Sequence, residues 1–357
     1  MSASTARLSV ELTPSARVDI IDITSRIAEE YGDVLSQYRK ALFCSHHTTA
    51  GFFDQNLLSR LDHSPDSLKV FLRTFQELFP PGAEYHHDQL HLRTELTEEE
   101  RKSEPRNADS HLKFISSGLE SCVAYKNAPD AAVYFVDLDG INQDRPRLRH
   151  STIVAFNDEE FVDRRTFEIP VSSHAIDSIN LKDPQLGFYG RLQDLVALHG
   201  IDKGWIEIEL DPEERNTALT VNEFETLLMK HDMIDVLQNP LRFVAQKGRS
   251  MIRDPRAIPG KAKNYAKYDL VRLLNEVLDT LGLNESVVER VIDRLMAFPA
   301  SRFLRMRRSI RLLVCDDDTC GGAGTIVQGR YQSPILVQWA KASSGTRRLT
   351  VTIKRCL

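Results

Sequence analysis

Thr48-Thr49-Ala50-Gly51-Phe52-Phe53-Asp54-Gln55-Asn56 and Asn216-Thr217-Ala218-Leu219-Thr220-Val221-Asn222-Glu223-Phe224 are the two strings on which the reading of the fold turns. Each follows an extended, apolar-rich run, Lys40–His46 in the first case and Trp205–Leu210 in the second, that reads as a strand. Two more matches follow in the same order. Ala108-Asp109-Ser110-His111-Leu112-Lys113 is echoed by Ala300-Ser301-Arg302-Phe303-Leu304-Arg305, and Tyr85-His86-His87-Asp88 by Tyr265-Ala266-Lys267-Tyr268. Matched strings in a constant order signal an internal repeat. Their spacing widens along the chain, so the second copy carries an insertion, expected as helices over about 240–298.

The elements between these strings also recur. Leu8–Leu12, Arg17–Ile21, Ala132–Leu138 and Leu148–Phe156 read as strands, and Thr24–Tyr38 as a helix. Asp66–Leu78 carries Leu68, Phe71, Leu72, Phe75 and Leu78 at helical spacing and stops at Pro80-Pro81-Gly82. Arg93–Glu104 reads as a solvated loop or exposed helix. Polar Asn157–Arg165 marks a boundary, after which the order starts again. Thr166–Val171, Trp205–Leu210, Ile310–Val314, Pro334–Trp339 and Leu349–Ile353 are strands; Leu186–Leu198 and Val287–Met296 are helices. The expected architecture is α+β, with units at 1–160 and 161–357, each a mixed or antiparallel sheet with packed helices.

The chain has 357 residues, a net charge of −5, 27 % charged and 41 % hydrophobic residues. Those values exclude a disordered, collagen-like or coiled-coil chain. No run reaches the roughly 18 apolar residues of a membrane span. Met1–Arg7 lacks an apolar core, so no secretory leader is expected and the cytoplasm is the expected location. Cys44, Cys122, Cys315, Cys320 and Cys356 form no CxxC pair and are expected as free thiols, although Cys315 and Cys320 could meet across a Gly-rich hairpin. Cys320-Gly321-Gly322-Ala323-Gly324 precedes a strand, the wrong setting for a phosphate loop. The overall acidity gives no reason to expect nucleic acid or membrane as partner. The second half is locally basic: nine Lys or Arg lie between Arg242 and Arg272, and arginines follow at 302, 305, 307, 308 and 311. Such a cluster suits an anionic partner or an ordinary solvated face.

These motifs resemble the YjbQ family, also labelled a secondary thiamine-phosphate synthase family. The first repeat is similar to it at His47-Thr48-Thr49-Ala50, Tyr85-His86-His87-Asp88, Asn107-Ala108-Asp109-Ser110-His111-Leu112-Lys113 and Tyr134-Phe135-Val136-Asp137-Leu138-Asp139-Gly140. The second is similar at Leu219-Thr220-Val221-Asn222-Glu223, Gly329-Arg330-Tyr331-Gln332 and Arg347-Arg348. The first repeat keeps the three family histidines but has Asp54-Gln55 for Asn-Glu and Ala128-Pro129-Asp130-Ala131 for Gly-x-Trp-Gln. The second keeps Asn222-Glu223 and Gly329-Arg330-Tyr331-Gln332, but has Arg215, Lys267 or Tyr268, and Phe303 at the histidine positions. Each copy has lost what the other keeps, which points to one composite site.

The resemblance implies an enzyme with a divalent metal, zinc foremost, with iron, nickel or manganese as alternatives, held by His47, His87 and His111. Asp88 would be a further ligand or orient an imidazole. Glu223 would act as general base and Gln332 would orient substrate. His46 and His86, by strand alternation, would face away. Lys113, Arg302, Arg305 and Arg330 would bind a small anionic, phosphorylated substrate. Transferase, lyase and hydrolase chemistry are all compatible, including C–N bond formation with loss of diphosphate. Family members are typically trimers, so a homo-oligomer is expected. The alternative is a non-catalytic ligand-binding or assembly protein with a degenerate site.

Overall fold

The structure is a computed structural model that describes residues 5–93, 96–128, 131–224, 231–232, 234–235, 306–316 and 324–357. Arg302, Arg305, Cys320, the Tyr265–Tyr268 and Ala300–Arg305 strings, the basic run 242–272 and the insertion expected over about 240–298 lie outside the described residues.

In chain order the N-terminal half carries β1 (Ala6–Leu12), β2 (Asp19–Asp22), α1 (Ile23–Tyr31), β3 (Lys40–Ser45), β4 (Ala50–Gly51), α2 (Gln55–Arg60) and α3 (Pro65–Leu78). It continues with α4 (Glu98–Ser103), α5 (Ala108–Ser117), β5 (Cys122–Lys126), β6 (Tyr134–Asp137), the small hairpin of β7 (Ile141–Asn142) and β8 (Arg145–Pro146), and β9 (Arg149–Phe156). The C-terminal half carries β10 (Glu159–Pro170), β11 (Asp177–Asn180), α6 (Phe188–Leu198), β12 (Lys203–Leu210), β13 (Thr217–Glu223), β14 (Ser309–Asp316), β15 (Gly324–Ile326), β16 (Gln332–Gln338) and β17 (Thr346–Cys356).

The same strand order occurs twice. The first half builds a four-stranded sheet β1-β9-β3-β5 and a three-stranded sheet β2-β6-β4. The second builds β10-β17-β12-β14, extended by β15, and β11-β16-β13. Strand by strand the two orders correspond, and the pairs are antiparallel. Isolated bridges recur as well, Phe52 with Glu120 and Leu219 with Arg307.

The α3 helix shows how sequence becomes packing. Ser64 caps it by accepting from the Ser67 N–H, Pro65 opens its first turn, and Leu68, Phe71, Leu72, Phe75 and Leu78 are all buried. Phe71 meets Phe53 and Phe75 edge-on, with centroids 5.4 and 5.2 Å apart. Burial of each such side chain stabilises by about 1.5–3 kcal/mol.

α5 obeys a different rule. Every one of its residues is buried, including Asp109, His111 and Lys113. A polar helix can be buried only if most of its polar groups find partners, and most of these do. Asp109 takes Lys113 Nζ at 2.6 Å and Arg17 Nη2 at 2.8 Å, and Ser110 Oγ donates to the Leu138 carbonyl. Gly118, at φ 80°, ends the helix.

The halves share apolar cores. Leu42, Cys44, Cys122, Val154 and Phe156 pack against Trp205, Leu313, Cys315 and Cys356, and Ile335 and Val337 of β16 join the core around α3 and α5. Those four cysteines are free thiols.

Arg93–Glu104, read as a solvated loop or exposed helix, includes the exposed helix α4, opened by a Thr97/Glu100 capping box. Two readings change. The helix expected over Thr24–Tyr38 breaks after Tyr31, where Gly32 takes φ 66°, and resumes as a short 3-10 turn, Val34–Gln37. The polar boundary Asn157–Arg165 is mostly the start of β10. Among the described residues that strand pairs with β17 alone, and an edge strand can carry charged residues toward water. Among the described residues, no helix is long and apolar enough to cross a membrane.

Candidate metal centre

α5 and the loop after α3 bring two imidazoles together. His111 lies one turn into α5, and His87 sits on the loop, with ring centroids 5.2 Å apart. Both rings are fully buried. Each Nδ1 faces an oxygen that can only accept: Asp88 Oδ1 lies 3.1 Å from His87 Nδ1, and Asn222 Oδ1 lies 2.8 Å from His111 Nδ1. The protons are therefore held on Nδ1, and Nε2 of each ring turns inward.

The partners are themselves fixed. Asp88 Oδ1 also accepts the Ala108 N–H at the start of α5. Asn222 Oδ1 accepts the Glu223 N–H at 2.8 Å, while its Nδ2 donates to the Thr48 carbonyl, so the amide orientation is set. The buried carboxylate of Asp232 accepts the backbone N–H groups of both His86 and His87 at 2.8 Å.

Glu223, at the C-terminal end of β13, completes the group. Its Oε2 lies 3.1 Å from His111 Nε2 and its Oε1 3.8 Å from His87 Nε2. These contacts are close but not aligned, and among the described residues neither buried Nε2 atom has a hydrogen-bond partner. One ligand atom from each of His87, His111 and Glu223 falls within 4.8 Å of the others. Burial opposes a charge on His87, but Asp88 and Glu223 outweigh it and push its pKa up to about 9. Burial likewise opposes ionisation of Glu223, yet His111 and His87 hold its carboxyl well below the usual range. Buried Arg93 reaches the same carboxylate: its Nη2 lies 3.8 Å from Glu223 Oε1, and its Nη1 is 2.7 Å from Glu104.

His47 does not join this group. It follows β3, and its Nε2 accepts the His150 backbone N–H at 2.9 Å, with Arg149 Nη1 3.5 Å from Nδ1. A strand from elsewhere in the chain, β9, thus occupies the His47 Nε2, and it is Glu223 that lies beside His87 and His111. Burial, then the Arg149 charge, pushes His47 down to about 3. Its folded pKa is below the unfolded value of about 6.5, so its contribution to stability is full above pH 6.5 and is lost as pH falls toward 3. We expect the stability of wild type to fall faster than that of His47→Gln between pH 6 and 4. The extra slope should approach about 1.4 kcal/mol per pH unit, read from urea midpoints. Parallel profiles would show that His47 is protonated in the native protein.

Gln332 is buried, and its amide is fully used. Nε2 donates to the carbonyls of Ser45 (3.0 Å) and His47 (2.9 Å), and Oε1 accepts the Gly329 N–H (2.9 Å). It has no donor left for a substrate. Lys113 faces Asp109 inside α5, and burial lowers its pKa, so it is not an open anion site. Arg330 is exposed, its guanidinium 5.1 Å from the Tyr331 ring. His46 bonds Thr152 Oγ1, and His86 lies 3.5 Å from Asp235, in a second group with Asp232 on the other side of the loop. Arg93 and Asp232 were not singled out from sequence. Arg93 sits in a polar stretch that reads as solvated, and Asp232 is 145 residues from the amide it accepts.

No family model matches the sequence, and no curated protein is similar to it. Solved structures are similar over about half of the chain. A YbjQ-like protein of unknown function from Sulfolobus solfataricus P2 aligns at 12% identity over 56% of this chain and 99% of its own, with a TM-score of 0.28. A hypothetical protein from Aeropyrum pernix K1 aligns at 11% over 54% and 98%, with a TM-score of 0.27. An uncharacterized conserved protein of the yjbq/upf0047 family from Clostridium acetobutylicum aligns at 12% over 54% and 99%, with a TM-score of 0.26.

Proposed function

We propose that His87, His111 and Glu223 hold one divalent cation and that the chain is a metal-assisted enzyme acting on a small anionic substrate. The observation that carries this is the pair of buried Nε2 atoms, without a hydrogen-bond partner among the described residues, that face the Glu223 carboxylate, each backed by an acceptor on Nδ1. Unsatisfied buried nitrogens are costly, and a cation satisfies both at once. Two imidazoles and a carboxylate suit zinc, and iron uses the same donors. The bound cation would supply Lewis acidity and lower the pKa of a coordinated water. His87 and Glu223 would release or exclude protons as the cation enters, because ligation requires both deprotonated.

Arg93 supports the anionic substrate. It is the buried guanidinium nearest Glu223 among the described residues, and its charge favours a phosphate or carboxylate beside the cation. The YjbQ-like motifs favour a phosphorylated compound, with transferase chemistry that forms a C–N bond and releases diphosphate as one form of it. The repeated strand order supports two YjbQ-like units, 1–160 and 161–357, that divide the donors between them.

The test is metal content by plasma mass spectrometry on untagged wild type and His111→Ala. We expect about one zinc, iron, nickel or manganese ion per wild-type chain, and at least tenfold less in the variant. Wild type that stays metal-free after incubation with each of those ions would remove the reading.

A further inference from the structure

We infer that Gln332 is a positioning residue for this centre: it clamps the β13–β16 end that carries Glu223 to the β3–β4 loop of the other half. The inference rests on the metal reading above. Glu223 and Gln332 are direct partners across the antiparallel β13–β16 pair. Whatever fixes Gln332 therefore fixes the backbone from which Glu223 projects. Gln332 is 1% exposed, and both of its amide protons go to carbonyls of the first half, Ser45 and His47. Its carbonyl oxygen holds the Gly329 N–H, which closes the turn entering β16.

The seat of this clamp is tight. A Cβ on Gly329 would lie 1.8 Å from the His46 carbonyl oxygen, so the turn rests directly on the backbone between the two carbonyls that Gln332 grips. The same loop is held a second time through Asn222, whose Nδ2 donates to Thr48 and whose Oδ1 faces His111. β13 and β16 thus each grip the loop by one amide, on either side of Glu223. The carboxylate reaches His111 at 3.1 Å and His87 at 3.8 Å from this doubly held end. Loss of the Gln332 grip would let Glu223 shift while leaving the imidazoles and their own acceptors in place. Partners that orient a ligand without touching the metal typically govern 10–100-fold in affinity.

A double-mutant cycle on zinc affinity, measured by chelator competition, tests this. The variants are Gln332→Leu, Glu223→Gln and the double variant, with urea stability recorded for each in metal-free form. Action through Glu223 predicts that Gln332→Leu weakens zinc about tenfold in the wild-type background and less than about twofold in the Glu223→Gln background. The loss of stability should be the same in both backgrounds. Equal loss of zinc affinity in the two backgrounds, or no loss in either, would overturn the inference while leaving the metal centre standing. Absence of zinc binding by wild type would instead remove the centre itself. If Gln332→Leu does not fold, Gln332→Glu, which keeps the acceptor for Gly329 and removes the two donors, enters the cycle in its place with the same expectations.

Discussion

Gly329→Ala should destabilise the protein by about 3 kcal/mol or more, the combined reach of overpacking and lost buried hydrogen bonds. The added methyl would meet the His46 carbonyl oxygen at 1.8 Å and its carbon at 2.7 Å. Both are backbone atoms of a β-sheet half, so they cannot swing aside as a side chain would. The turn must lift, and with it go the bonds from Gln332 to Ser45 and His47. The urea midpoint at unchanged slope measures the effect. A midpoint within about 0.5 kcal/mol of wild type would show that the turn is not seated as described. Zinc affinity should fall as well, because Glu223 and Gln332 share one register.

The second large effect concerns a buried ion pair. Asp137 and Arg149 are both buried, joined by bonds of 2.6 and 2.9 Å, with Arg149 also donating to the Asp139 carbonyl at 2.6 Å. Burial pushes the Asp137 carboxyl up even though Arg149 opposes this. Asp137→Ala strands a guanidinium in the core, and we expect a loss of about 3–5 kcal/mol. Replacing both partners with leucine should recover much of that loss, because no unpaired charge remains. A double variant less stable than the single would mean that the pair contributes more than the desolvation it incurs.

How much of this was legible beforehand depended on the range of the interactions involved. α3 could be read because its burial is one-sided, and a one-sided helix writes its period into the sequence. α5 could not be read in that way, because it is buried all round, and Asp109, Ser110 and His111 meet groups far along the chain. The motifs brought His87, His111, Asp88 and Glu223 onto one short set of candidates, and the geometry joins them. They did not show that His47 turns to a β9 amide, since that depends on strand pairing across 103 residues. Nor did they show that an amide suited to orienting substrate is already saturated by carbonyls. Glu223 lies at the end of a strand, β13, and the strand is what places it opposite Gln332.

The division of donors between the halves in the proposed centre has a consequence for dilution. Two imidazoles come from one half and the carboxylate from the other, on a single polypeptide. A centre assembled from separate chains would come apart at low concentration, with an occupancy that followed the concentration of protein. Here the carboxylate stays at a fixed, high local concentration beside the imidazoles. The composition of the proposed centre would therefore be set once, by translation, within each chain.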